Sequence, residues 1–79
     1  MRDRVEREEV EKWLKKLEER KDNLFPLNER GAWFIENINA YIQDCRHFME
    51  KGDMVLAFEA IVWAWAWYEI GKELKLIKD

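Results

Sequence analysis

The sequence predicts an all-α protein that folds as an up-and-down three-helix bundle. Two breaks, one around Pro26 and one at Gly52, divide the 79 residues into three segments whose apolar residues recur at helical spacing. The composition of 48% hydrophobic and 39% charged residues provides both a core and a solvated surface. We therefore expect a single domain over residues 1–79, with helices at about 2–23, 29–51 and 54–75.

The first segment is an amphipathic helix with one narrow apolar stripe. Its residues are good helix formers up to about Asn23. The apolar positions recur at helical spacings and are Val10, Trp13, Leu14, Leu17 and Leu24. The opposite face is charged, and we interpret it as a solvated face.

The second helix begins after Pro26, which disfavours helix at Phe25. Asn28 can act as its N-cap, and the helix is predicted to run to about Lys51. One broad apolar face follows from a rotation of about 100° per residue. Its members are Phe34, Ile35, Ile38, Tyr41, Ile42, Cys45, Phe48 and Met49.

Trp33 departs from this pattern, because helical geometry places it on the opposite side of the second helix. A Trp exposed on a rigid helix is typical of interface hot spots. The leading hypothesis is therefore a protein-association module that binds another protein or a second copy of itself, with a dimer as the simplest case. Its candidate interface comprises Trp33, Asn37 and Ala40. Alternatively, Trp33 folds back over Phe25 and Pro26 and covers the connecting loop.

The third helix begins at Met54, because Gly52 can end the preceding helix in the left-handed conformation and Asp53 can cap the next. The stretch Ile61–Tyr68 has Trp at alternate positions, which is the period of a strand. A helix is nevertheless favoured, since Ala is a poor strand former and no second strand is predicted to pair with it.

As a helix, the third segment has two bulky apolar sides with small residues between them. One side carries Leu56, Trp63, Trp67, Ile70 and Leu74, and the other carries Met54, Phe58, Ile61 and Trp65. The small residues are Ala57, Ala60, Ala64 and Gly71. We predict that this helix sits in the groove between the other two, with Trp63 and Trp65 both mostly buried.

Charge and hydrophobicity argue against several classes of partner. The net charge is -3, from 14 basic and 17 acidic residues without a long block of either sign, so no nucleic-acid partner is expected. The longest uncharged run, nine residues from Ala60 to Tyr68, is too short to span a bilayer, so we predict no membrane segment. The N-terminus is charged and the one cysteine permits no intramolecular disulfide, which indicates a cytoplasmic protein.

No catalytic, cofactor-binding or metal-ligating residue is predicted. The chain contains no Ser or Thr, which excludes those nucleophiles. Cys45 lies in the apolar stripe and is interpreted as a small core residue, while His47 points about 160° away from it, so the two cannot share a zinc ion. The carboxylates are interleaved with Lys and Arg, which leaves no isolated acid pair. We expect a protein that is not an enzyme and uses no cofactor.

The second functional hypothesis is a small-ligand binder with an aromatic groove between helices, lined by Trp13, Tyr41, Trp63 and Trp67. The competing interpretation is that these rings fill the core of a small bundle. A void lined by Tyr41, Trp63 and Trp67 would favour ligand binding. Filled rings and an apolar surface patch would favour association.

Residues 41–71 resemble a known family. The resemblance rests on the turn Glu50-Lys51-Gly52-Asp53, the segment Ala57-Phe58-Glu59-Ala60 and the Trp-rich stretch Trp63 to Trp67. These features are similar to those of the short archaeal family known as domain of unknown function 357. The resemblance implies a three-helix bundle and transfers no active site, because the family has no established activity. The charged composition without Ser or Thr also fits an archaeal thermophile.

Overall fold

A computed structural model of the chain describes residues 5–79. Over this range the elements are α1 (Arg7–Lys21), β1 (Phe25–Pro26), α2 (Glu29–Glu50), α3 (Met54–Glu73) and β2 (Ile77–Lys78). The three helices of the described range form the predicted up-and-down bundle, so the fold class is confirmed. The alternating Trp residues are helical.

The helix bounds differ from the prediction at both ends of the chain. Residues 1–4, where the first helix was expected to begin, lie outside the described range, and α1 begins at Arg7 after a non-helical Glu6. The third helix ends at Glu73, two residues earlier than predicted. Lys75 then adopts a φ of 58°, which reverses the chain instead of extending the helix.

A small antiparallel sheet, which the sequence did not predict, ties the C-terminal segment to the loop before α2. Phe25 pairs with Lys78 and Pro26 pairs with Ile77. The backbone N–H of Leu27 donates to the carbonyl of Leu76 over 2.8 Å. Strands of two residues show no detectable period, which is why the sequence pattern did not indicate them.

The predicted starts of α2 and α3 are confirmed, each with its predicted N-cap. The Asn28 side chain accepts a hydrogen bond from the backbone N–H of Gly31 over 2.9 Å. Asp53 accepts from the backbone N–H of Leu56 over 3.0 Å. Gly52 has a φ of 80°, the left-handed conformation that ends α2 and allows α3 to reverse direction.

We expect Asp53→Ala to lower the free energy of unfolding by about 1 kcal/mol, because the substitution leaves the N–H of Leu56 without its cap. Urea unfolding followed by far-UV circular dichroism would measure the loss. Glu36→Ala is the matched control, since Glu36 is an exposed acidic residue in the body of α2. Equal stability of the two variants would contradict the capping role.

The core lies where the three helices meet, and each helix packs on the other two. The small-residue side of α3 is buried as predicted. The described core residues are Val10, Leu14, Leu17, Phe34, Ile38, Ile42, Cys45, Met49, Ala57, Ala60, Ile61, Ala64, Tyr68, Leu76 and Ile77.

By length and composition alone, α3 is apolar enough to cross a membrane. The prediction of no membrane segment rested on the longest uncharged run, which has nine residues. The first 18 residues of α3 nevertheless contain only two charged side chains, Glu59 and Glu69. The central helix of a globular bundle meets the same criterion. Its length and composition therefore do not identify α3 as a membrane span.

Candidate interaction surface

One side of α3 exposes a row of large apolar side chains. These are Val55, Leu56, Val62, Trp63 and Ile70, followed by the C-cap residue Leu74. Trp63 is 52% exposed, so the prediction that it is mostly buried was wrong, whereas Trp65 is partly buried. The physical reason is that α1, α2 and β2 pack against other parts of the circumference of α3 and leave this flank of the helix in water.

Trp33 lies at the edge of α2 that faces α3. Its ring meets the ring of Trp67 edge to face, with centroids 5.2 Å apart, and the side chain is 53% exposed. Helical geometry predicted Trp33 on the side of α2 opposite its apolar face. The predicted direction was wrong, because the ring faces α3, but the side chain is exposed. Because α3 packs along that flank of α2, Trp33 forms part of the groove between the two helices.

A second aromatic contact lies further along the same groove, where Tyr41 stacks on Trp63 with centroids 6.3 Å apart and planes 18° apart. Asn37 lies between the two contacts and donates from Nδ2 to the carbonyl of Trp33 over 2.9 Å. The predicted interface residues therefore border one α2–α3 surface. We call this surface the seam and define it by Trp33, Asn37, Ala40, Tyr41, Trp63, Trp67 and Ile70.

The four residues of the predicted ligand groove do not line a single groove. Tyr41 and Trp63 border an open groove of about 290 Å³ between α2 and α3. Trp13 lies on the other side of α3, where it meets Trp65 edge to face at 6.0 Å beside a groove of about 400 Å³. Trp67 packs between Trp33 and a core ring of α2. The two grooves lie on different sides of α3 because side chains two positions apart on a helix, such as those of Trp63 and Trp65, point about 200° apart.

The groove beside Trp13 and Trp65 is nearly all apolar, and both indole N–H groups already have acceptors. Trp65 Nε1 donates to the backbone carbonyl of Trp13 over 3.1 Å, and Trp13 Nε1 donates to the carboxylate of Glu9 over 3.2 Å. Glu9 is the charged side chain among the described residues that line this groove. Few polar groups therefore remain there to orient a ligand.

The hydroxyl of Tyr68 forms a polar cluster that joins α1, α3 and the C-terminal segment. It donates to the carboxylate of Asp79, while Arg20 and Lys72 donate to it over 3.4 and 3.3 Å. The hydrogen bond from Tyr68, followed by that from Lys72, holds the pKa of Asp79 below its usual value. Arg20 and Lys72 in this cluster already pair with the carboxylate of Asp79. The cluster therefore holds the C-terminal segment against α1 and α3.

Cys45 is fully buried, as the apolar stripe predicted, and burial raises the pKa of its thiol to about 11. The thiol is therefore protonated at neutral pH and is a poor nucleophile. His47 is exposed on another face of α2. Over residues 5–79, no group of three or more His, Cys, Asp or Glu side chains is arranged to hold a metal ion.

Comparisons with known proteins return two matches. The family described as "Protein of unknown function (DUF357)" matches residues 8–77. The crystal structure of protein AF1782 from Archaeoglobus fulgidus, of the same family, is similar with a TM-score of 0.84 and 48% sequence identity, and the match covers 92% of this chain and 91% of that chain. No curated protein matches. The predicted resemblance is thus confirmed, and the match extends through most of α1.

Proposed function

We propose that this chain, which belongs to the DUF357 family of proteins of unknown function, is a non-enzymatic module that binds a protein partner through the seam. The observation that carries the proposal is the half exposure of Trp33 and Trp63 on the packed α2–α3 pair. Each ring leaves on the order of 100 Å² of apolar surface in water. Exposed apolar patches of this kind are typical of binding sites.

The rings of the seam are held before any partner arrives. Trp33 is held by its contact with Trp67, and Trp63 by stacking on Tyr41. A side chain that is already immobilised loses little rotamer freedom on binding, and the usual cost is about 0.5 to 1.5 kcal/mol for each flexible side chain that becomes ordered. The aromatic groups of the seam are therefore suited to act as interface anchors.

The whole α2–α3 face that carries the seam is large enough for a partner that presents a helical face. The 20 residues of α3 extend over about 30 Å, and two adjacent helices present a surface about 20 Å wide. Such a surface offers about 600 Å² per partner, which corresponds to the lower limit of specific protein interfaces. We therefore expect a complex of modest affinity.

A small-ligand binder is the second candidate function, and the groove beside Trp13 and Trp65 is the observation that favours it. Its volume of about 400 Å³ lies within the range of ligand pockets. However, the indole donors of both Trp residues are already satisfied, and the groove is open to solvent. Association has the greater support, because an open apolar groove without polar anchors gives a small ligand little specificity.

The proposal can be tested by replacing Asn37 with a photo-cross-linking amino acid in cells that produce the protein. We expect a discrete protein adduct from this position, because Asn37 lies in the middle of the seam. Adding Trp33→Glu to the same chain should lower the adduct yield by more than about tenfold, as expected for loss of a hot-spot Trp.

The matched control carries the same cross-linker at Lys15, which is exposed on α1. This position should give no discrete adduct. Equal adducts from the two positions, or no adduct from position 37, would contradict a binding role for the seam.

A further inference from the structure

We propose that the partner at the seam is a second copy of this chain, packed across a two-fold axis at Asn37 with the two α2 helices antiparallel. This inference rests on the proposed function and specifies its partner. Along the exposed edge of α2, the side chains before Asn37 are complementary to the side chains after it. The inference is based on this order.

Five residues on this edge of α2 are spaced symmetrically. Trp33 and Tyr41 lie four residues to either side of Asn37, and Arg30 and Asp44 lie seven residues to either side. Helical rotation keeps all five within about 80° of one another. In an antiparallel pair centred on Asn37, Trp33 meets the second copy's Tyr41 and Arg30 meets the second copy's Asp44. The symmetry makes each of these contacts occur twice.

The charges at the two ends of this row have no partner within the described chain. Arg30 and Asp44 are both exposed, and neither forms an ion pair within residues 5–79. They lie 14 residues apart on one continuous helix, which separates them by about 21 Å and prevents an intrachain pair. The antiparallel packing supplies each charge with an opposite charge.

The apolar side chains of α3 follow the same symmetry. Because Trp33 meets Trp67 and Tyr41 meets Trp63, Asn37 lies level with residue 65. Leu56 and Leu74 lie nine residues to either side of that level, and both are exposed. The two-fold axis therefore also brings apolar residues of α3 against apolar residues of the second copy.

Charge also argues against the alternative two-fold arrangements. An axis parallel to the helices would place α2 on the second copy's α3 and bring Asp44 near Glu59, since both border the same groove. A dimer centred on the outer flank of α3 would bring the acidic side chains of one copy close to those of the other, namely Glu59, Glu69 and Glu73. Like charges placed together in an interface are unfavourable. The antiparallel arrangement about Asn37 avoids both conflicts.

A charge-swap experiment on the full chain tests this arrangement by sedimentation velocity over a concentration series. The wild-type chain should form a dimer that dissociates in the micromolar range. Arg30→Glu and Asp44→Arg should each raise the dissociation constant of the dimer at least tenfold. Each substitution places like charges opposite one another at both symmetric contacts between the copies. The double variant should restore the dissociation constant to within about threefold of wild type.

Rescue by the double variant is specific to an interchain contact, because the two positions are too far apart to interact within one chain. Lys15→Glu on α1 is the matched control and should leave the dimer unchanged. Circular dichroism should show that every variant keeps the wild-type helical signal, since both seam positions are exposed.

The other outcomes separate this inference from the proposed function. A wild-type chain that is monomeric at about 1 mM overturns the inference. A seam cross-link to a protein of different mass also overturns it, while the proposed function is retained. If Trp33→Glu disrupts the dimer but the double charge variant does not restore it, the two-fold axis is not at Asn37. Only that part of the inference is then overturned. A monomer without any cross-link at position 37 overturns both proposals.

Discussion

Gly31→Ala should destabilise the protein by about 3 kcal/mol, although Ala is the better helix former. A Cβ atom at this position would lie 1.9 Å from the carbonyl oxygen of Leu76. That oxygen is part of the backbone and accepts the hydrogen bond from Leu27, so it cannot rotate away. Relief of the clash requires the C-terminal segment to leave α2, which exposes the buried side chains of Leu76 and Ile77.

Gly52→Ala is the comparison for this prediction. Gly52 has a φ of 80° and no atom within 4 Å of an added Cβ, so its substitution introduces backbone strain without a clash. A loss of about 1 kcal/mol is expected there. Urea unfolding followed by far-UV circular dichroism measures both variants. If Gly31→Ala were as stable as wild type, the close approach of the C-terminal segment to α2 would be wrong.

The helices and their caps were predictable because their signals are local. Apolar periodicity, the side chain of Asn28 and the Gly52-Asp53 pair act within a few residues of the structure they specify. The C-terminal sheet depends on contact between segments about 50 residues apart in sequence, and each strand has two residues. One sequence signal for this contact was Gly31. A Gly in the first turn of a helix often marks a place where another backbone segment packs closely against it.

The candidate site was predictable only in part. Helical angles correctly identified Trp33 as exposed and grouped it with Asn37, because these angles depend on local geometry alone. They could not show which side of α3 would remain uncovered, since that depends on where α1 and α2 pack. The error at Trp63 came from assigning a neighbour to each bulky side of α3, whereas the two other helices cover only part of its circumference.

The small-residue side of α3 determines how closely the other helices can pack against it. Ala57, Ala60 and Ala64 are almost completely buried, and Ala64 has no exposed surface. Side chains of this size allow helix axes to lie at the short end of the usual range of about 8 to 10 Å. A larger side chain at Ala64 therefore has no space unless a neighbouring helix moves.

We expect Ala64→Leu to lower the free energy of unfolding by about 1 to 3 kcal/mol through overpacking. Chemical denaturation measures the loss, and Ala66→Leu is its matched control. Ala66 lies on the same helix but is partly exposed, and Leu has nearly the same helix propensity as Ala, so the control should change stability by less than about 0.5 kcal/mol. Wild-type stability of Ala64→Leu would mean that the space beside α3 is not filled, and the packing of the three helices described above would then be wrong.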